Sequence, residues 1–308
     1  MRIYQFTDKD LDGVSAGVLS RACYGTDALR LRYARYDDLD GALRKFMSDD
    51  SRPDGYFRVV ITDICPTEPV AKELDEFKNK TPGCELYLFD HHATRSWVNK
   101  YEWAVSDSSK CGTLLYFEWL ANNGAFRGGL LEGFRHFSEL VDVYDRWLED
   151  DPRRKESETL NRLLHFMGFD RFAARFSYDP RAHKEEYLAQ VADSLERNEA
   201  MHIKKIVDGQ CIDNFSMTDS DGLTYCMLVT DRMASQVCHE ALRRFPELDY
   251  AVNINPAYNT VSVRSRKGGI DASKIARRAS SDGGGHKEAA GFPFNARAVL
   301  QLALKSFL

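Results

Sequence analysis

No stretch of the chain comes near the roughly 20 consecutive apolar residues that a bilayer-spanning helix requires, so a helical membrane span is not the organising element. The N-terminal MRIYQFTDKD runs straight into a strand-like pattern. It carries no apolar signal core or small-residue cleavage pattern, and the expected location is cytoplasmic, with no membrane partner. The seven cysteines form an odd set without a CxxC pair. That excludes a disulfide framework and a thiolate zinc site, and leaves them as reduced packing residues. Internal repeats and low-complexity tracts are missing as well. An excess of positive charge is also lacking: the formal net charge is −5, which argues against a protein that coats long nucleic acid.

What is present is an ordinary globular composition over 308 residues, long enough for two domains. The average charge hides an asymmetry. From Thr260 onward nine Lys and Arg face three acids, a net +6, so the remainder carries −11. An acidic body suits cations and a basic tail suits an anion, although solvated faces of two unlike domains give the same numbers.

The first half alternates strand and helix patterns: RIYQF, a helix over Val14 to Tyr24, a strand at Leu29 to Ala34, a helix through Leu39, Leu43 and Phe46, then FRVVIT. A helix from Glu68 and a strand at Glu85 to Phe89 follow, with a further strand at Glu102 to Val105 and a helix from Cys111 to Leu120, entered through Ser108 and Ser109. Such alternation without tight hairpin signals predicts an α/β fold with right-handed crossovers and a parallel sheet. Helices dominate the next hundred residues. The charged segment from Arg181 to Lys205 has no Gly or Pro and reads as a connecting helix. The expected division is a metal-binding domain over 1–180, a helical linker over 181–208 and a smaller α/β domain over 209–308. The last part should hold strands at LTYCMLV, Val252 to Asn255 and Thr260 to Ser265, helices at Met233 to Arg244 and Ile270 to Ser280, and a terminal helix.

Chemistry-bearing residues gather at predicted strand ends. TDKDLDG puts Asp8, Asp10 and Asp12 at every second position, with Gly13 opening a helix. Carboxylates this close raise each other's pKa unless a cation holds them, and hard divalent ions take oxygen ligands. The loop is not an EF-hand, because the following segment is helical and apolar. FRVVIT ends at Asp63, and LYLFDHHAT delivers Asp90, His91 and His92. In an open parallel sheet, ligands bind beyond the carboxyl ends of the strands. Each stretch alone is also explained as a solvated turn with a helix N-cap. Together they fall at one edge of one sheet, where two metals about 3.5 to 4 Å apart are the usual device for in-line displacement at phosphorus. ELVDVYDRW adds Asp142 and Asp145 on one helix face. Downstream, SVRSR and DGGGHKEAAGF combine arginines with a glycine run that lets backbone approach a ligand.

In order and spacing these motifs resemble the DHH phosphoesterases, which include RecJ-type exonucleases, nanoRNases, cyclic-dinucleotide phosphodiesterases and exopolyphosphatases. TDKDLDG resembles the first motif, VVITD the second, FDHHAT the third and ELVDVYD the fourth, while SVRSR with GGGHKEAAGF resembles the DHH-associated C-terminal domain. The resemblance implies two divalent ions, Mn²⁺ or Mg²⁺. Asp10 and Asp63 would hold one, and Asp12, Asp63, His91 and Asp142 the other, with Asp63 bridging. Asp90 would orient a histidine from behind, and His92 would contact the scissile phosphate or protonate the leaving group. Asp142 aligns better than Asp145 with the family's single acid. Arg264 and His286 would grip a substrate phosphate, assisted by Ser265, Arg266 or Lys267, while Gly283, Gly284 and Gly285 admit backbone donors. The expected cleft lies between the two domains. Trp97, Tyr144 and Trp147 could stack bases, although core packing accounts for each of them.

The implied activity is a phosphodiesterase acting on short oligonucleotides or linear dinucleotides from one end, with a homodimer possible. Alternatives are a cyclic-dinucleotide phosphodiesterase, an exopolyphosphatase or nucleotide monoesterase, and a nucleotide-binding regulatory module. The family's first motif usually begins with histidine, where this chain has Asp8. A carboxylate there hardens the site, so turnover with Mg²⁺ relative to Mn²⁺ should be better than in the family pattern. A metal titration of the rate checks this, and turnover with Mn²⁺ but none with saturating Mg²⁺ contradicts it.

Overall fold

The structure, a computed structural model, describes residues 1–49, 55–126, 129–212 and 215–295. Part of the polar loop SDDSRPDG and the expected terminal helix lie outside the described residues. The chain divides into two units, 1–194 and 195–308.

In the first unit five strands, β1 (Arg2–Thr7), β2 (Leu29–Tyr33), β3 (Phe57–Thr62), β4 (Cys84–Asp90) and β5 (Ala104–Ser106), form a sheet of order β2-β1-β3-β4-β5. All its pairings are parallel, as the alternation of strands and helices predicts. Alternate side chains point to opposite faces of a strand, and the two apolar cores follow that period. Val60 and Phe89 join one core, with α1 (Leu11–Ala28), α4 (Gly112–Asn122), α5 (Leu131–Asp145), α6 (Arg154–Met167) and α7 (Phe169–Tyr178). Val59, Ile61, Leu86 and Leu88 join the other, beneath α2 (Tyr36–Met47) and α3 (Glu68–Lys80). Burial of both faces explains why β3 reads as a continuous β-branched run rather than as an alternating one.

The expected linker begins with a short 3-10 turn, Ala182–Lys184, and continues as α8 (Glu186–Gln210), 25 residues long. The second unit holds β6 (Ser216–Thr218), β7 (Thr224–Val229), β8 (Tyr250–Asn255), β9 (Thr260–Ser265), β10 (Gly284–Gly285) and β11 (Ala289–Pro293) in the order β10-β11-β9-β8-β7-β6. Only β7 with β8 is parallel there. α9 (Ala234–Arg244) packs with Cys226, Leu228 and Ala251, whereas α10 (Ala272–Ala279) packs with Tyr250 and Val263 from the other face. TDSDG is the turn of the β6–β7 hairpin, so the sequence pattern marked the turn and missed its first strand. No helix among the described residues is long and apolar enough to cross a membrane.

Candidate metal centre

Register brings the site together. Thr7 pairs with Thr62, and Thr62 with Phe89, so β1, β3 and β4 end level with one another. The residues that leave those ends are Asp8, Asp63 and Asp90. The Thr62 hydroxyl donates to Thr7 Oγ1 at 2.8 Å and the Thr7 hydroxyl to the Gly13 carbonyl at 2.7 Å, which ties the acidic loop to the strand ends. A Cβ on Gly13 would sit 2.3 Å from the Asp8 carbonyl oxygen, so only glycine closes this turn. Asp10 caps α1 by accepting from the Gly13 amide at 3.0 Å, and Asp8 accepts from the Lys9 amide at 2.7 Å.

Three carboxylates surround one imidazole nitrogen. His91 Nε2 lies 3.2 Å from Asp63 Oδ1, 3.4 Å from Asp145 Oδ2 and 3.8 Å from Asp12 Oδ2. Asp12 is held by the start of α4: its Oδ1 accepts from the Thr113 amide and its Oδ2 from the Gly112 amide, both at 2.7 Å. The next amide, of Cys111, donates to Asp142 Oδ1 at 2.7 Å. The unpaired amides and positive dipole end of a helix N-terminus therefore hold two acids of the site. Asp63 takes a left-handed backbone conformation, φ 56°, uncommon outside glycine. Its amide donates to the Phe89 carbonyl at 2.8 Å, and Gly112 packs against it so tightly that a Cβ would lie 2.9 Å from its nitrogen.

Burial and mutual repulsion dominate the electrostatics. Burial first, and then Asp10, Asp12 and Asp145, push the Asp63 carboxyl well above the usual range. Asp145 is raised in the same way by burial, Asp12, Asp10 and Asp142. Burial and Asp10 bring Asp8 to about 6. Asp63 Oδ2 and Asp145 Oδ2 are buried without a hydrogen-bond partner. A divalent cation removes both penalties, because it supplies the missing partner and cancels the repulsion. Three sets have donor atoms within 4.8 Å of one another: Asp8, Asp10 and Asp63; Asp12, His91 and Asp145; and Asp63, His91 and His92. All-oxygen and mixed oxygen–imidazole sets of this kind suit Mg²⁺ or Mn²⁺.

The placement differs from the sequence expectations at several residues. Asp142 does not join these donor groups: it is spent on the Cys111 amide and on Arg146, 3.2 Å away. Asp145, one helical turn on, faces His91 instead. Three residues separate the two acids on one helix face, so only the partners offered by α4 and Arg146 distinguish them. Asp90 supports His92 rather than His91, with Oδ1 2.8 Å from His92 Nδ1. That contact, with Asp10 and Asp12, overcomes the burial that opposes charge and raises the His92 pKa.

In the second unit Arg266 is turned away from the expected substrate role. Its guanidinium donates to the carbonyls of Leu242, Phe245 and Leu248, where it closes the C-terminal end of α9. Ser265 is fully buried and donates to the Ile270 carbonyl at 2.7 Å, again a structural task. Gly283 and Gly285 are demanded by packing, since a Cβ would come within 2.1 Å of the Ala276 oxygen and 2.5 Å of the Ala289 oxygen respectively, while Gly284 borders open space. Arg264 donates to the Ser235 hydroxyl at 2.8 Å and to the carbonyls of Val263 and Ala290, with no carboxylate beside it, and burial lowers its pKa. Lys267 and His286 are exposed. The expected stacking aromatics are engaged internally: Trp97 beneath Lys100, and Tyr144 and Trp147 beneath Arg154. The start of α4 was missed, because the flanking serines looked like the helix entry whereas Cys111 is the cap.

No protein-family model matches the sequence. The chain is 26% identical over 298 residues to oligoribonuclease NrnB of Bacillus subtilis (strain 168), covering 93% of this chain and 71% of that protein. Its fold is similar to a solved DHH domain from a member of the s1p family of ribosomal proteins, with a TM-score of 0.64 and 17% identity over 100% of this chain and 86% of the other. The chain belongs to the DHH phosphoesterases. A second DHH fold match is RecJ of Thermus thermophilus, solved in complex with Mn²⁺, with a TM-score of 0.55 and 18% identity over 99% of this chain and 51% of that one.

Two outcomes follow from this DHH centre. Gly112→Ala drives a methyl group into the Asp63 backbone and should cost about 1 to 3 kcal/mol, the range for overpacking. It should also weaken Mn²⁺ binding, both readable by thermal unfolding with and without metal. The second concerns pH. The Asp8 carboxyl moves from 3.8 unfolded to about 6 folded, so the folded metal-free protein binds more protons across that window. Its stability should therefore fall as pH rises through the window, and the gain in Tm on adding Mn²⁺ should be larger near pH 8 than near pH 5.

Proposed function

We propose that the chain is a cytoplasmic, divalent-metal-dependent phosphodiesterase that hydrolyses short oligonucleotides or linear dinucleotides from one end. The observation that carries this reading is the convergence of Asp12, Asp63 and Asp145 on His91 Nε2, with two of those acids keeping an orphaned buried oxygen. Asp8, Asp10 and Asp63 would hold one ion, and Asp12, Asp63, His91 and Asp145 the other. When bound, such ions supply an activated water and neutralise charge that builds on the phosphate.

The side chains have separate tasks. Asp63 is common to both donor sets, and its left-handed backbone aims its carboxylate between them. The start of α4 holds Asp12 in one orientation, so the acid does not reorganise as charge develops. Asp90 takes Nδ1 of His92 and fixes the ring, and the task assigned to Nε2 is proton donation to the leaving oxygen. In the second unit Arg264, without a carboxylate partner, is suited to a substrate phosphate, with His286 and Lys267 as further candidates. A net charge of −5 without a long basic track suits short substrates over long strands. The name of the B. subtilis relative, an oligoribonuclease, supports RNA as the first substrate to try.

The test is a Mn²⁺ and Mg²⁺ titration with labelled di- to hexanucleotides of RNA and DNA, cyclic dinucleotides and polyphosphate. Turnover of the short linear substrates is expected, and Asp63→Ala should reduce it by more than about a hundredfold, the upper end for groups that merely support a metal ligand. Preference for a cyclic dinucleotide or for polyphosphate would move the assignment to those substrates. Tight nucleotide binding with no turnover would make the chain a binding module.

A further inference from the structure

Beyond the metal-binding acids, the carboxyl edge of the first sheet carries an aromatic residue and a cation that neither the motifs nor the reading above assigns. Tyr36 is the first residue of α2, just past the end of β2, and is 44% exposed. Its ring meets the His92 ring edge-on, with centroids 5.7 Å apart and planes at 88°. The Arg95 guanidinium lies 5.6 Å from the centre of the same Tyr36 ring. Arg95 itself sits in the 3-10 segment Ala93–Lys100 that follows the double histidine, and its amide donates to the His92 carbonyl at 2.8 Å.

Arg95 is unusual among the arginines of this unit. Arg44, Arg58, Arg146, Arg153 and Arg154 each engage a carboxylate. Arg95 forms no hydrogen bond or ion pair with an acid among the described residues and rests on the Tyr36 ring. The neighbourhood is nevertheless acidic: the Tyr36 hydroxyl is raised by burial and then by Asp90, Asp63 and Asp8, with Arg95 opposing them. A half-buried guanidinium held by stacking, with its donors unspent beside a phosphoester-binding centre, is prepared for an anion that arrives with the substrate. Its distance selects which anion. The His91 and His92 rings are 4.5 Å apart, and the His92 and Tyr36 rings then separate Arg95 from the acids. A cation two rings away is too remote for the phosphate under attack and suits a neighbouring one.

We propose that Arg95, seated on Tyr36, binds the substrate phosphate adjacent to the scissile one, so that this rim distinguishes substrates with a second phosphate from those without. Tyr36 is a positioning residue that holds Arg95 and the edge of His92 together. The proposal rests on the phosphodiesterase reading and adds a specificity determinant to it.

The experiment compares kcat and KM of the full chain and its variants on four Mn²⁺-supported substrates: NpN, pNpN, NpNp and NpNpN. Arg95→Ala should raise KM about tenfold or more on the substrates whose second phosphate reaches this rim, the loss expected for one charge-assisted phosphate contact, and leave NpN unchanged. Arg95→Lys should restore part of the loss, since it keeps the charge without the fork. Tyr36→Phe should behave as the parent, while Tyr36→Ala should reproduce the Arg95→Ala pattern and also lower kcat through His92. An equal penalty on all four substrates, or on none, overturns the proposal. Equilibrium binding of fluorescein-labelled NpNpN and NpN in metal-free buffer separates this result from the fate of the activity itself. If the parent hydrolyses nothing, the phosphodiesterase reading falls, and the Arg95 proposal still stands or falls on whether Arg95→Ala abolishes a preference for NpNpN. A parent that binds the two equally overturns it.

Discussion

The structure depends on a concentration of negative charge that the fold itself must tolerate. Asp8, Asp10, Asp12, Asp63, Asp90, Asp142 and Asp145 gather near the carboxyl edge of a five-stranded sheet, and several of them are buried. Such a group destabilises a folded chain unless each charge has a partner or is neutralised. The chain supplies part of the answer from its own backbone. The amides of Cys111, Gly112 and Thr113 at the start of α4 are directed at Asp142 and Asp12, where helix geometry leaves them without intrahelical partners. The orphaned oxygens of Asp63 and Asp145 are what remains unanswered. The same imbalance that costs stability in the metal-free chain makes the edge a strong site for divalent ions.

That arrangement links packing to chemistry. α4 can present its first amides to Asp12 only because Gly112 lies against the Asp63 backbone, and Asp63 can face both donor sets only because its backbone is left-handed. Strain at Asp63 is sustained by its neighbours, in the way that unfavourable conformations persist at functional sites. Gly13 has the corresponding role in the first motif, where it lets the acidic loop fold back on Asp8. The two glycines matter through the carboxylates they allow to approach, and neither touches substrate. Beyond the acids, the pairs Asp90–His92 and Tyr36–Arg95 carry the site outward from metal ligation toward the handling of substrate phosphates.

The second unit follows a different economy. Arg264, Ser265 and Arg266 are consecutive, yet their side chains have unlike tasks. Strand alternation sends Ser265 into the interior, while Arg266 reaches the last carbonyls of α9. Arg264 finds hydroxyl and carbonyl acceptors without a charge partner. The basic character of this region is therefore partly consumed by its own fold, and net charge overstates what remains for an anion.

Much of this was legible from residue order. Alternating strand and helix patterns, with acids just past three apolar runs, determine a parallel sheet and place those acids on one edge, because period-2 burial and right-handed crossovers leave few other solutions. The order and spacing of the four motifs further identify the family. Sequence could not separate Asp142 from Asp145, or His91 from His92, since each pair shares a local environment in one dimension. Tertiary structure decided between them through partners remote in sequence: the α4 amides and Arg146 occupy Asp142, Asp90 occupies His92, and Asp145 and His91 are left facing each other. Local pattern determines which elements form and which residues end them, whereas which of two neighbouring side chains meets a ligand depends on hydrogen-bond partners that only folding brings within reach.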